Sequence, residues 1–430
     1  ASSLNTGTDT NDTGDGYNIL VSQREYSVAP GVSEKTLVLN DASGNNQNLC
    51  YVMEVDLSND NVDLLSGYSN MDPSTWATQT TSAQAKAAEE KLGVNVVGAI
   101  NTNLSWASNE PLGMLVINGV VYHQGTAQAY FVLTKDGKAE IRSGNEPLQG
   151  NEWQATSTFQ FLVQNGKSLY TTPDHANGSR APRTAIGIKA DGSVVLFVVD
   201  GRQAPSSVGM SAYELAQTMI DLGCVTAVNC DGGGTSTFVS ERAGTGTLKI
   251  QNNPSDGAER PTLGTLMVVS KAKSTGIFDH AALLPNNDLY TPGSTVQFSA
   301  IGSDSSGSKV AVPETATWRL SEDSAALGTI DAANGLFVAA KGATGNVTVE
   351  LVYEDEVVGS TSIQLVHPDL LAFNSDEMSL GFSVTNKLGL VVKYKNQDVN
   401  YNSSDFTWSQ SDDRLGTFND DGTYTTNDSL

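Results

Sequence analysis

The sequence predicts an α+β domain built on mixed sheets, followed by all-β sandwich domains. Three observations carry this reading. Two helix-like segments lie before residue 225, and each runs directly into an apolar, strand-like run. Asn-Gly and Asp-Gly pairs separate alternating apolar runs in the same half, the strongest short-range hairpin signal. Beyond about residue 274 no helical segment recurs, and short apolar runs alternate with polar turns.

With 430 residues the chain has room for two to four domains. Residues 1–16, dominated by Thr, Asn, Asp and Gly, read as a flexible tether left after processing or cloning. Residues 17–273 form the α+β domain, long enough to bury a large core.

Its first clear strand is 49–57 (LCYVMEVDL). The segment 81–93 (TSAQAKAAEEKLG) reads as a helix closed by Gly93, and 94–100 (VNVVGAI) as a buried strand. Hairpin turns are expected at Asn118-Gly119, Asp136-Gly137 and Asp191-Gly192. The strongest helix signal is 210–224, where Ser211 and Glu214 form a capping box and Leu215, Met219 and Leu222 share a face. Gly223 closes that helix, and the strands 225–230, 237–240 and 262–270 follow.

The remainder divides at 274–366 and 367–430, on the strength of a repeat. TWRLSEDSAALGTIDAANGLF (317–337) is similar to TWSQSDDRLGTFNDDGTY (407–424), aligning Trp318 with Trp408, Gly328 with Gly416 and Gly335 with Gly422. One Trp per unit of near ninety residues resembles bacterial Ig-like sandwiches. The second repeat stops shortly after Gly422, so it is expected to be incomplete and the natural chain longer.

Charge narrows the function classes. With 48 acidic and 24 basic residues the net charge is -24, and no basic cluster offers a nucleic-acid surface. No stretch approaches the ~18 apolar residues of a membrane-spanning helix. Acidic, Asn/Thr/Gly-rich β sequence of this kind is associated with extracellular or cell-surface bacterial proteins. The three cysteines, Cys50, Cys224 and Cys230, form no CxxC pair and are expected as buried thiols, with one disulfide as the alternative; the four histidines are too scattered for a metal cage.

Candidate chemistry lies where apolar strands end in polar residues: Asn101, Asp200, Asn229 and Asp231. If the Asp191-Gly192 loop is two residues long, cross-strand partners sum to 383, which sets Arg183 opposite Asp200, as a polar cluster or a plain ion pair. The most unusual string is Asp231-Gly232-Gly233-Gly234-Thr235-Ser236-Thr237. Three consecutive glycines cost backbone entropy, so a close approach or positive φ is expected there, with amides and hydroxyls that could cradle phosphate. It lacks the Lys and spacing of a Walker loop. Arg202, Glu259, Arg260 and His175 are further candidates for the same site or for plain surface roles, and Cys230 reads as packing.

Taken together, the segments 97–121, 182–202, 209–237 and 259–270 resemble the phosphodiester glycosidases, in that family's order, over about residues 50–272. The sequence departs mildly, with Cys230 where the family has an aliphatic residue and Thr235 where it has Ser. The resemblance implies cleavage of a sugar-1-phosphodiester, of the GlcNAc-1-phosphodiester kind, releasing sugar and leaving a phosphomonoester. It implies Asp231, Asp200, Arg183 and Arg202 as catalytic residues. Asn101, Asn229, Gly232, Gly233, Gly234, Thr235, Ser236 and Arg260 would bind substrate. A phosphorylated glycan or a cell-wall or capsular polymer is the implied substrate, with the Ig-like repeats as spacer or surface attachment. No cofactor is implied; Ca²⁺ is the one ion the carboxylates could hold. The alternatives are a non-catalytic glycan-binding surface protein and a metal-dependent phosphodiesterase.

Overall fold

The computed structural model describes residues 18–103, 108–171 and 180–429. The chain divides into two compact units: one runs to Asp279 and takes in Gly302–Ala311, the other holds His280–Ile301 and Val312–Leu430.

The first unit is mostly β. An eight-stranded sheet has the order Ile19–Ala29, Val32–Asn40, Gln47–Val55, Val194–Val199, Arg183–Lys189, Cys224–Asn229, Phe161–Gln164 and Lys167–Ser168. A five-stranded sheet has the order Lys249–Ile250, Phe238–Ser240, Asn95–Asn101, Gly264–Ser270 and Val62–Tyr68. A third sheet gathers the hairpins between Leu115 and Thr158. Neighbouring strands in the first two sheets run antiparallel, where mixed sheets were expected. The reason lies in how the two helices are used. Helix α1 (Thr81–Leu92) joins Val62–Tyr68 to Asn95–Asn101, and helix α2 (Ala212–Asp221) joins Val194–Val199 to Cys224–Asn229. Each is a parallel crossover, but an antiparallel strand, Gly264–Ser270 or Arg183–Lys189, lies between the two strands it connects.

The helices form where local chemistry stops and starts them. Thr80 caps α1 by accepting from the Ala83 amide, and Gly93 ends it at φ 65°. Ser211 and Glu214 make the expected capping box on α2. Leu215, Ala216 and Met219 of α2 pack on the outer face of the large sheet against Ala185, Val195, Phe197 and Val199. Ala85 and Ala88 of α1 cover the outer face of the smaller sheet, against Val96, Ala99 and Met267. Between the sheets lies a core of Met53, Ile186, Val198, Val228, Ile100, Leu266 and Phe131. The layers are therefore helix, sheet, sheet, helix. The sheets approach so closely that a Cβ on Gly98 would collide with Met53.

The hairpins show how one turn residue sets a register. Asn118 accepts φ 48° and Gly119 φ 79°, so Ile117 pairs Val120 around a two-residue turn. At Asp191-Gly192 only the glycine takes positive φ, at 87°. Its amide returns to the Lys189 carbonyl while Lys189 pairs Ser193, giving a three-residue loop. Partners therefore sum to 382, and Arg183 pairs Val199, not Asp200. The expected direct pairing is overturned by that one added loop residue.

The second unit is all β among its described residues, apart from short 3-10 turns. A seven-stranded sheet takes strands from both 274–366 and 367–430. The aligned glycines do the same work in each. Gly335 and Gly422 take φ 75° and 81°. A Cβ on Gly328 would collide with Phe337, and one on Gly416 with Tyr424. Trp318 is buried against Phe298, which in turn packs edge-on to Phe337, whereas Trp408 is half-buried and stacks on Phe418.

Candidate functional site

The two strands that follow the helices, Asn95–Asn101 and Cys224–Asn229, end at the same place. The Asp231 amide donates to the Thr102 carbonyl (2.9 Å), and Asn101 Nδ2 donates to the Asp231 carbonyl (2.7 Å). The carboxyl ends of two sheets thus fix one loop, the usual location of a crevice in layered folds.

Asn101 is fully buried and organises that loop. Its Oδ1 accepts from Thr184 Oγ1 (2.8 Å) and the Thr237 amide (3.1 Å). The Thr184 hydroxyl also lies 3.1 Å from Ser236 Oγ. Asn101 and Ser236 are therefore engaged inside the protein, and both take a supporting place behind the loop.

The three glycines each face one arginine. A Cβ on Gly232 would stand 3.7 Å from Arg183 Cδ, and one on Gly233, 3.4 Å from an Arg202 guanidinium nitrogen. A Cβ on Gly234 would collide with the Arg260 guanidinium and lie 2.5 Å from the Asp256 carboxylate. Gly233 also requires φ 83°, and its amide donates to the Pro182 carbonyl (2.9 Å). Each glycine is required for its own reason: a Cβ on Gly232 would lie 2.8 Å from the Pro182 carbonyl oxygen, Gly233 holds a left-handed φ, and Gly234 leaves room for the Arg260 guanidinium and the Asp256 carboxylate.

Arg183 opens its strand and donates from Nε to the Met210 carbonyl (2.9 Å). Burial, and then the positive charge of Arg202, push its guanidinium below its ordinary value. Two cations held this close favour an anion between or beside them. Arg202 is exposed and holds φ 58°, a left-handed backbone that a residue without a local turn role adopts at a cost.

Asp231 and Asp200 have opposite surroundings. Burial raises the Asp231 carboxyl to about 6, against the opposing effects of the Thr235 hydroxyl, the Arg260 charge and the Gly232 amide. Thr235 also donates to the Gly232 carbonyl (3.1 Å). Asp200 is 1% exposed and ringed by donors. Its carboxylate accepts from the Asn253 amide (3.0 Å), from Asn252 Nδ2 (3.0 Å) and from the Tyr51 hydroxyl. Burial still raises it above the usual carboxylate range.

Asn229 ends its strand 4% exposed, with Oδ1 lacking a hydrogen-bond partner among the described residues. A buried unpartnered amide oxygen is unusual and calls for a donor. Glu259 instead faces α1, its Oε1 accepting from the Ser82 amide (3.0 Å). Cys230, like Cys50 and Cys224, is a buried free thiol, and burial holds its thiolate out of reach. His175 lies outside the described residues. Among those described, no three His, Cys, Asp or Glu side chains gather in one place.

Sequence reasoning passed over Asn252, Asn253, Asp256 and Tyr51. The segment Asn252-Asn253-Pro254-Ser255-Asp256-Gly257 reads as an ordinary polar turn; only the fold shows that it lies across Asp200 and Gly234.

Residues 94–269 match the family model described as phosphodiester glycosidase. The SPbeta prophage-derived uncharacterized protein YomE of Bacillus subtilis (strain 168) is 33% identical over 214 residues, 46% of this chain and 32% of the relative. The N-acetylglucosamine-1-phosphodiester alpha-N-acetylglucosaminidase of Mus musculus is 39% identical over 105 residues, 23% of this chain and 17% of the relative. The chain thus spans a third or less of these curated relatives. Among solved structures, the zebrafish N-acetylglucosamine-1-phosphodiester alpha-N-acetylglucosaminidase catalytic domain, auto-inhibited by its pro-peptide, aligns with TM-score 0.44 and 20% identity, over 58% of this chain and 88% of that one.

Proposed function

We propose that the phosphodiester glycosidase domain carried by residues 94–269 hydrolyses a sugar-1-phosphodiester, releasing the sugar and leaving a phosphomonoester on the other partner. The observation that carries the reading is the pair of guanidiniums, Arg183 and Arg202, set against a side-chain-free loop beside a half-buried carboxyl.

The charge changes of the reaction match this arrangement. A phosphodiester enters with one negative charge. As the bond from the anomeric carbon to the bridging oxygen breaks, the electron pair stays on the phosphate, which becomes a dianion. Two closely held cations stabilise the dianion more than the monoanion, so their attraction grows along the reaction coordinate. A phosphate leaving group needs little protonation, which leaves one carboxylate with work to do. Asp231 takes a proton from water as the water oxygen bonds the anomeric carbon. A base near 6 is ionised at neutral pH yet basic enough to accept that proton. The Asn229 amide oxygen receives a sugar hydroxyl or acetamido N–H. Asp200 holds the 252–253 turn in place. The substrate class is a phosphorylated glycan or a cell-wall or capsular polymer outside a bacterial cell, with the C-terminal repeats, read as Ig-like, as spacer or surface attachment. The acidic, Asn/Thr/Gly-rich composition supports that location. Among the described residues no helix is long and apolar enough to cross a membrane.

The test is release of GlcNAc from UDP-GlcNAc and from GlcNAc-1-phosphodiesters by the wild type and Asp231→Asn, followed by a panel of other glycosyl phosphates. Release by the wild type alone supports the reading. Tight binding without release across the panel replaces it with a glycan-binding protein.

A further inference from the structure

We propose that Asp256 is a positioning residue of this site, holding Arg260 against Gly234 so that its charge acts on Asp231. The inference rests on the reading of Asp231 as the working carboxylate.

The geometry is specific. Arg260 donates to both Asp256 oxygens, from Nε at 2.7 Å and from a terminal nitrogen at 3.0 Å. This fork fixes the guanidinium plane as a single bond would not. Together the two side chains fill the volume a Gly234 side chain would need. The segment carrying them is tied down on both sides. Asn252 donates to Asp200 and to the Ser236 carbonyl (2.9 Å), and the Asn253 amide donates to Asp200. At the other end Glu259 accepts from the first turn of α1 (3.0 Å). Asp256 lies between these anchors and Arg260 directly follows the second, with side chains 40% and 48% exposed. An exposed pair of this kind adds little to stability, so its placement against the glycine loop points to another role.

Asp231 is approached by charges from several elements. Arg260 comes from the 252–260 segment and lowers its carboxyl directly. Arg183 and Arg202 come from the large sheet and the turn after it and face Gly232 and Gly233. Its own strand supplies the buried Cys230 thiol. The ends of Asn95–Asn101 and of Glu152–Thr158 bring hydroxyls and amides but no titratable group. Arg260 is gripped by the Asp256 carboxylate, and its position against Gly234 depends on that one side chain. Released from Asp256, a long half-exposed arginine gains rotamer freedom by moving into water, and Asp231 loses a favourable charge.

The experiment compares the acid limb of kcat in the wild type, Asp256→Asn, Arg260→Ala, the double variant and Asp256→Glu. The expected result is an upward shift of about half a pH unit in Arg260→Ala and a smaller upward shift in Asp256→Asn, where loss of the Asp256 negative charge partly offsets the displaced arginine. The double variant should shift no further, and Asp256→Glu, which keeps the charge, should recover most of the wild-type profile. An unmoved or lowered acid limb in Asp256→Asn, or additive shifts in the double variant, overturns the proposal. A second readout needs no turnover: the ¹³C-carboxyl titration of Asp231, identified by its loss in Asp231→Asn. If no substrate is cleaved, the functional reading fails while this titration still decides the role of Asp256.

Discussion

Two corners of the first unit look alike in sequence and differ in the fold. Each is an Asp at the end of an apolar run, followed by glycine: Asp200-Gly201 and Asp231-Gly232. At the first corner, three donors from Tyr51, Asn252 and Asn253 surround the carboxylate, which is sealed from solvent. Burial raises both carboxyls, and at the second, next to a loop bare of side chains, the rise reaches about 6. On the proposed reading, the acid whose negative charge is only partly compensated serves as the base, and the one ringed by donors braces the fold.

The largest expected effect is at the uncompensated corner. Asp231→Asn should lower kcat by about 10²–10⁴ fold, the usual worth of a general base, with the far-UV spectrum unchanged. Substituting the arginines tests the anion site. Arg183→Lys and Arg202→Lys keep charge but lose the planar fork, and each should reduce kcat/KM by about 10–100 fold on a phosphodiester. An equal loss on a neutral aryl glycoside would remove phosphate recognition from their role.

The braced corner should fail differently. Asp200→Asn sets an NH₂ group among donors, at a cost of about 1–3 kcal/mol. A lowered Tm with residual activity well above that of Asp231→Asn is expected. The reverse ranking would exchange the roles of the two acids.

The smallest effect is thermodynamic and of opposite sign. The folded carboxyl of Asp231 is raised from an ordinary 3.8 to about 6, so the folded state binds the proton more tightly. Its stabilising contribution is complete below about pH 4 and is lost as pH rises through about 6. Asp231→Asn should therefore raise Tm relative to wild type at pH 7–8, with the gain shrinking at pH 4. Thermal melts at both values check this, and a gain independent of pH would mean that charge is not its source.

Much of this was legible from the chain alone because the signals are local. The capping box at Ser211 and Glu214, the Gly93 stop and the Asn118-Gly119 turn depend on residues within a few positions of one another. The glycine triplet could be singled out because three residues without Cβ are costly anywhere. The repeat could be aligned because Gly335 and Gly422 serve the same left-handed turn.

What the tertiary structure decided involves residues distant in sequence. One residue of loop length at Asp191-Gly192 moved Arg183 from opposite Asp200 to opposite Val199, since hairpin register turns on whether Asp takes positive φ. Asn101 looked like a sugar ligand but became a tie between sheets, because its partners Thr184 and Thr237 lie 83 and 136 residues away. The proposed division of labour between Asp200 and Asp231 is of the same kind. The sequence determined that both acids stand at strand ends; only folding brought the Asn252-Asn253 turn onto one of them, because burial and hydrogen bonding are properties of assembled neighbours.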